Sequence, residues 1–510
     1  MAGLLSPQAA RDPGEIALVD DGSAATWSEL DGRVNRWIHV LRGAGLAAGD
    51  RVAVVCGNRR EAFEAALACL HAQLTLVPVN WHLTAPEIRH IIEDSGCRAL
   101  VVDAERAPAA AVAATGVALA LRTVLGRAPV AGFTPAEQIL DAVTDGEPDG
   151  QCSGSVLLYT SGTSGRPKGA VNQLFRLGAP LSTITDLLGM LAGLGVPDRG
   201  RNLLVGPWYH SGQLFFSIFP LLRGCPLVVL GRFDAAGVLA AIDRQEITHC
   251  HLVPIHFVRL LGLDGPARAA FRGTSLRTVW HGASACPVEV KRRMIAWWGP
   301  VLVEYYAATE GGIATMIDSP RWLDHPGSVG RPVPPTELVI AGPDGAPVPS
   351  GVDGRVFLRR PPGRGFHYHN APQQTRDAYL DERTFTYGDV GHVDADGYLY
   401  LTGRSIDMII TGGVNVYPAE VESVLLSHQA VRDAAVFGVP DPEFGERVVA
   451  AVVLAPGTGT GDLDAYCREH LAGFKVPRAY HAVAELPREP SGKMRKHLLR
   501  DRYTPAQAQR

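Results

Sequence analysis

Between residues 51 and 102 the sequence alternates short apolar runs with helix-patterned segments, and nothing else in the chain restricts its fold as much. Residues 51–56 (RVAVVC) have the length and β-branched content of a buried strand. Residues 60–73 carry a helical period, 74–79 are again strand-like, 87–95 helical, and 99–102 a strand. Strands separated by helices pair in parallel, with the helices covering the sheet faces. The pattern returns at residues 203–205, 227–230 and 278–280, without a sequence repeat of fixed period. At 510 residues the chain is too long for one ordinary core, so several lobes are expected.

The texture changes after about residue 325. Pro and Gly become dense over 326–335, 342–354 and 361–365, and short β-type pieces at 355–358 and 397–401 imply a small β-rich subdomain. Residues 404–510 read as a compact α+β unit, with helices at 419–427 and 462–471, strands at 434–437 and 448–454, and a basic stretch over 488–502. The formal net charge of -4 gives no broad positive field for nucleic acid or an anionic membrane. The most apolar stretch, 214–230, is interrupted by Pro220, Arg223 and Pro226, so it reads as a buried helix and strand rather than a membrane span. The N-terminal residues lack the pattern of a signal peptide. Eight cysteines, none at CxxC spacing, read as reduced thiols in a cytoplasmic protein.

The segment with the clearest chemistry is 159–169, YTSGTSGRPKG, which follows the apolar run 155–158. Gly162, Gly165 and Gly169 permit tight turns and close backbone approach. The hydroxyls of Thr160, Ser161, Thr163 and Ser164, with free backbone N–H groups and Lys168, would cradle a polyphosphate. Gly169 follows Lys168 where a Walker loop needs Ser or Thr, which disfavours an ordinary P-loop ATPase or kinase.

This segment closely resembles the phosphate loop of the ANL superfamily: acyl-CoA synthetases, adenylation domains and firefly luciferase. Further segments resemble that superfamily's motifs in the right order over nearly the whole chain. The resemblance implies an α/β fold: a large N-terminal domain (1–403) of stacked β-sheets with helices and a small β-rich subdomain, then a small mobile α+β C-terminal domain (404–510). EYYAATEG at 304–311 is similar to the motif in which Tyr306 stacks on adenine, Thr309 bonds the α-phosphate and Glu310, with Thr160, holds Mg²⁺. WHGA at 280–283 implies Gly282 and Ala283 against adenine and acyl group; YGD at 387–389 implies Asp389 on the ribose, and GR at 403–404 implies Arg404 on ribose or phosphate. LPREPSGKMRKHLLR at 486–500 resembles the terminal segment whose lysine, here Lys493, carries charge to the reacting phosphate and carboxylate. His210, in WYHSGQ, matches a gate beside the acyl carboxylate. Trp208, Phe215 and Phe216 are expected as aromatic walls of the acid pocket, with small Ser284, Ala283, Ala307, Gly311 and Gly312 leaving room. Ala307 stands where the family often has Gly.

Ile406 and Asp407 fall at the hinge. Ile406 and Thr411 replace residues that are commonly charged in the family, and Gly412 and Gly413 form the loop that would meet the second substrate. The implied reaction is ATP-dependent activation of a carboxylic acid as an acyl-adenylate, then thioester formation with coenzyme A. A stand-alone ligase passing the adenylate to an amine is the alternative. ATP, Mg²⁺ and coenzyme A are the implied cofactors and co-substrates, the partner is a small-molecule acid, and a monomer or homodimer is expected. His249, His251 and His256 crowd together but are read as structural, with no metal between them.

Overall fold

The computed structural model describes residues 3–160, 167–172, 175–192, 195–404, 407–411, 414–489 and 492–504. Two large sheets dominate. In the first, six strands run parallel in the order Leu302–Ala308, Thr278–His281, His249–Leu252, Asn202–Leu204, Leu227–Val229 and Ile16–Asp20. Antiparallel strands extend both edges, Ser23–Thr26 on one side and Gly312–Asp318 with Arg331–Pro332 on the other. The second sheet places Arg51–Val55 between Thr75–Pro78 and Cys97–Val102, all parallel, and then adds Ser155–Thr160. Its far edge turns antiparallel at Lys168–Asn172 and Phe366–Tyr368.

Helices fill the space between the sheets because each carries an apolar stripe. Trp27–Gly43 starts at a capping box in which Thr26 and Glu29 satisfy each other's backbone N–H groups. Its Leu30, Val34, Trp37, Ile38 and Leu41 then recur at three- and four-residue spacing and are buried. Arg60–His71 and Ser211–Leu222 join the same core, which holds Phe63, Trp208 and Phe219. The apolar stretch read as helix and strand is that: Ser211–Leu222 followed by Leu227–Val229. Among the described residues no helix is long and apolar enough to cross a membrane.

The Pro/Gly-rich region folds into a third sheet of Glu337–Ala341, Gly354–Arg359, Thr384–Val393 and Tyr379–Asp381, with Leu399–Arg404 paired to Thr384–Val393. The C-terminal unit has its own sheet, in which Val431–Asp441 and Gly445–Leu454 form a long hairpin. Helices Pro418–Ser427 and Leu463–His470 bury Val421, Leu425, Leu463 and Cys467 against it.

Candidate active site

The strand Leu302–Ala308 turns through Thr309–Gly311 into Gly312–Asp318, and consecutive residues on it face opposite sides of the sheet. On one side Tyr306 Oη donates to Asp389 Oδ2 at 2.5 Å, and the Tyr306 ring meets Tyr387 edge-on at 5.7 Å. Tyr387 Oη donates to Gly312 O at 3.0 Å. A Cβ on Gly311 would collide with Tyr387 Oη and lie 3.0 Å from Phe385 Cε2, so only glycine closes the turn here. Arg360 locks it from outside, donating to Gly311 O and to Ile313 O. In the turn, Thr309 Oγ1 lies 3.2 Å from Ser211 Oγ, and Glu310 Oε1 accepts from Tyr368 Oη at 3.0 Å. Arg404 stands directly opposite Asp389 in the antiparallel register. Its side chain lies outside the described residues.

The two ends of the phosphate-loop sequence lie on paired antiparallel strands, Ser155–Thr160 and Lys168–Asn172. Thr160 pairs with Lys168, while Ser161, Gly162, Thr163, Ser164 and Gly165 lie outside the described residues. A setting between two paired strands differs from the strand–loop–helix of a Walker site, in keeping with the failed spacing. Tyr159 Oη donates to Asp94 Oδ2 at 2.6 Å, and His90 Nε2 donates to Pro167 O at 3.1 Å. The Phe366–Tyr368 strand pairs with Lys168–Asn172, Tyr368 opposite Ala170. Tyr368 therefore ties that strand by its backbone to Glu310 by its hydroxyl.

On the other side of the strand, Phe216, Trp280 and Tyr305 form a buried aromatic cluster edged by Ala307 and Ile313, with Phe216 centroids 4.9 Å from Trp280 and 5.1 Å from Tyr305. Two expected walls lie elsewhere. Trp208 is fully buried in the core between the large sheets, where its indole N–H donates to Cys56 O at 2.9 Å. Phe215 stacks on Phe219 at 5.4 Å and packs toward Phe175. Neighbours on a helix point about 100° apart, so Phe216 is the residue this helix gives to the cluster. Gly311, expected at the pocket floor, packs instead against the third sheet, and Gly312 takes a left-handed φ of 71°. Gly282 is needed for close approach, since a Cβ there would lie 2.7 Å from Tyr305 O. Ala283 follows at φ 69°, a costly conformation for a residue with a side chain, and Ala283 and Ser284 are exposed.

The three crowded histidines have separate partners. His249 Nδ1 lies 2.6 Å from Thr248 Oγ1, His251 Nε2 lies 2.6 Å from Tyr305 Oη, and His256 stacks on Phe233 at 4.1 Å. Beneath the strand, Lys291 Nζ and Glu304 Oε2 form a fully buried ion pair at 2.6 Å, with Lys291 over the Trp322 ring and His281 alongside.

The C-terminal lysine loop reaches this site. A Cβ on Gly492 would lie 2.8 Å from Ile255 Cγ2, which seats the loop on the segment after strand His249–Leu252. Glu489 N donates to Lys493 O at 2.8 Å, and Arg488 Nη1 donates to Gly492 O. His210 stands at the N-terminus of Ser211–Leu222. Burial, then the positive charge of His82 and of Lys493, pushes its pKa down to about 3, so the ring is neutral near pH 7. Of the hinge residues, Asp407 lies 3.6 Å from Arg500, while Ile406, Gly412 and Gly413 fall outside the described residues. Tyr368, Arg360, Gln213 and His251 were not singled out for the site by sequence.

Tyr306 meets Asp389 on one side of the strand, Thr309 meets Ser211 in the turn, and the Lys493 loop comes from the far end of the chain to act on His210 beside Ser211. The chain belongs to the AMP-binding enzyme family, whose sequence pattern covers residues 5–364, and the pattern of the AMP-binding enzyme C-terminal domain covers 420–493. It is an adenylate-forming enzyme of the ANL superfamily. A feruloyl-CoA synthase of Amycolatopsis is 34% identical over 97% of both chains. The anthranilate CoA ligase AuaEII, solved with anthranoyl-AMP, superimposes with a TM-score of 0.87 at 26% identity over 98% of this chain and 96% of that one. The amide bond synthetase McbA of Marinactinospora thermotolerans gives 0.84 at 29% identity over 98% and 99%.

Proposed function

We propose that the protein is an AMP-forming acid–thiol ligase that activates an apolar, ring-bearing carboxylic acid and transfers it to coenzyme A. The observation that supports this reading is the seating of the Lys493 loop against Ile255, close enough for its charge to act on His210, at the helix start where Ser211 meets Thr309. The chain is divided after residue 403, so that Ile406 and Asp407 lie at the hinge.

In the first step a carboxylate oxygen of the acid attacks the α-phosphorus of ATP and pyrophosphate leaves. Tyr306 offers a ring face to adenine and Asp389 accepts the ribose hydroxyls. Thr160, Lys168 and the hydroxyls between them hold the phosphates, and Thr309 bonds the α-phosphate. Glu310 and Thr160 are hard oxygen donors of the kind Mg²⁺ takes, and the cation would neutralise phosphate charge. Lys493 brings positive charge to the carboxylate and the reacting phosphate, while neutral His210 borders the acid without competing charge. In the second step the thiol of coenzyme A attacks the acyl carbon and AMP leaves. Phe216, Trp280, Tyr305 and Ala307 shape the acyl side. A cytoplasmic monomer or homodimer completes the reading.

The similarity to an amide bond synthetase favours a second reading in which an amine takes the acyl group. A screen of aromatic and fatty acids with ATP, with coenzyme A and ammonia both present, separates the two. AMP, pyrophosphate and acyl-CoA are expected. Amide without acyl-CoA would establish the second reading, and ADP in place of AMP would overturn adenylation.

A further inference from the structure

Gln213, His251 and Tyr305 form a line of polar groups sealed into the acyl side, and the direction of each hydrogen bond follows from the geometry. Gly206 N donates to Gln213 Oε1 at 3.3 Å, which turns the NH₂ end of the amide toward His251. There Gln213 Nε2 lies 2.9 Å from His251 Nδ1 and 3.3 Å from His251 O. An amide NH₂ only donates, so Nδ1 accepts and carries no proton. His251 stacks on Phe216 at 5.0 Å, and burial pushes its pKa down to about 3. The ring is therefore neutral, and its single proton sits on Nε2. Nε2 lies 2.6 Å from Tyr305 Oη, so the imidazole donates and the phenol oxygen accepts. The phenol's own hydrogen is left over, and among the described residues no other group bonds to Tyr305 Oη.

Two glycines leave that hydroxyl against bare backbone. A Cβ on Gly212 would lie 2.9 Å from Tyr305 Oη, and one on Gly282 would lie 2.9 Å from Tyr305 Cζ. Gly212 follows His210 and Ser211, and Gly282 precedes Ala283, so Tyr305 stands between the two segments that border the acid. A buried donor without an acceptor is costly, and a ligand oxygen relieves that cost.

We infer that Tyr305 is a specificity-determining hydrogen-bond donor whose O–H recognises an acceptor oxygen (ketone, ether or hydroxyl) on the acyl tail of the substrate acid, with His251 and Gln213 as the positioning residues that aim it. This rests on the acid-activating reading of the site. The test measures pyrophosphate release for matched acids differing by one acceptor oxygen: 4-acetylbenzoate against 4-isopropylbenzoate, 4-methoxycinnamate against 4-ethylcinnamate, and 6-oxoheptanoate against heptanoate. In the unaltered enzyme kcat/KM favours the oxygenated member of at least one pair by about tenfold or more, as expected where a site is built around a substrate hydrogen bond. Tyr305→Phe brings that ratio to near one with the KM for ATP unchanged. Gln213→Met, which frees His251 to change tautomer, lowers the ratio in part. Preference for the hydrocarbon member of every pair, or a ratio that survives Tyr305→Phe, overturns the inference. Should Tyr305→Phe fail to fold, an unchanged ratio in Gln213→Met overturns it. No pyrophosphate from any acid would overturn the acid-activating reading itself, and this inference with it.

Discussion

On the Tyr306 side of the Leu302–Ala308 strand, a carboxylate, hydroxyls and tyrosines meet at a half-open turn. On the Tyr305 side the polar groups are neutral and enclosed by aromatic rings. One strand thus separates two solvents. The first suits a charged, hydrated ligand that brings its own counterions, and the second suits an apolar tail with at most an oxygen to place. The alternation of side chains along a strand makes this separation possible without any intervening element. Effects of substitution on the two sides should therefore be kinetically separable.

Lys493 belongs to neither side and should have the largest effect. Lys493→Ala is expected to slow adenylate formation by about 10²-fold or more, the scale of losing a preorganised charge donor. Conversion of a synthetic acyl-adenylate to product should be largely spared, and equal loss in both steps would show that the lysine serves more than adenylation. On the nucleotide side, Asp389→Ala is expected to raise the KM for ATP by about 10- to 100-fold, the worth of a charge-assisted hydrogen bond. The KM for the acid should stay within about twofold if the two sides are independent. The converse experiment is Ala307→Leu, which overfills the acyl side and should raise the KM for a ring-bearing acid about tenfold. A matching rise for ATP would break the separation.

The smallest effect distinguishes the sides by titration. His251 has its pKa pushed down to about 3 by burial, as has His256, and His71 to about 4. A histidine that is neutral when folded takes up a proton on unfolding below its ordinary pKa near 6.5, so stability falls as pH drops through 6.5 toward these values. Between pH 7 and 5.5 each such residue should remove about 1 kcal/mol. Thermal midpoints measured across that range should fall, with His251→Phe showing a shallower slope than the parent.

The Tyr306 side of the strand was legible in sequence because its residues sit in short linear motifs: Tyr306, Thr309 and Glu310 within one, and Asp389 in a second. The Tyr305 side was not. Gln213 lies 38 residues from His251, and His251 lies 54 from Tyr305, so no spacing links them. The apolar stretch 214–230 reads as a helix and a strand without saying which of Trp208, Phe215 and Phe216 would face the Leu302–Ala308 strand. Tyr368 and Arg360 were hidden in Pro/Gly-rich sequence that carries no period. The parallel strands expected at 51–56, 74–79, 99–102, 203–205, 227–230 and 278–280 lie within two residues of those in the structure, since their runs are continuously apolar, whereas Ile16–Asp20, Leu121–Val124 and Leu302–Ala308 were not singled out by sequence. The hairpin strand Val431–Asp441 was read as 434–437, because Gly438 and Pro440 look like breakers although Pro440 occupies the next-to-last position of the strand.

The Lys291–Glu304 pair has a consequence for how this enzyme can change over evolutionary time. Glu304 shares a strand with both tyrosines, and its carboxylate and the ammonium facing it are sealed from water. Replacing either alone strands a charge at a cost of about 3–5 kcal/mol, whereas replacing both with well-packed apolar residues is often neutral. The tolerated sequences are therefore the two ends of a double step whose midpoints fold poorly. A lineage that kept the pair would tend to go on keeping it, whatever acid it came to use.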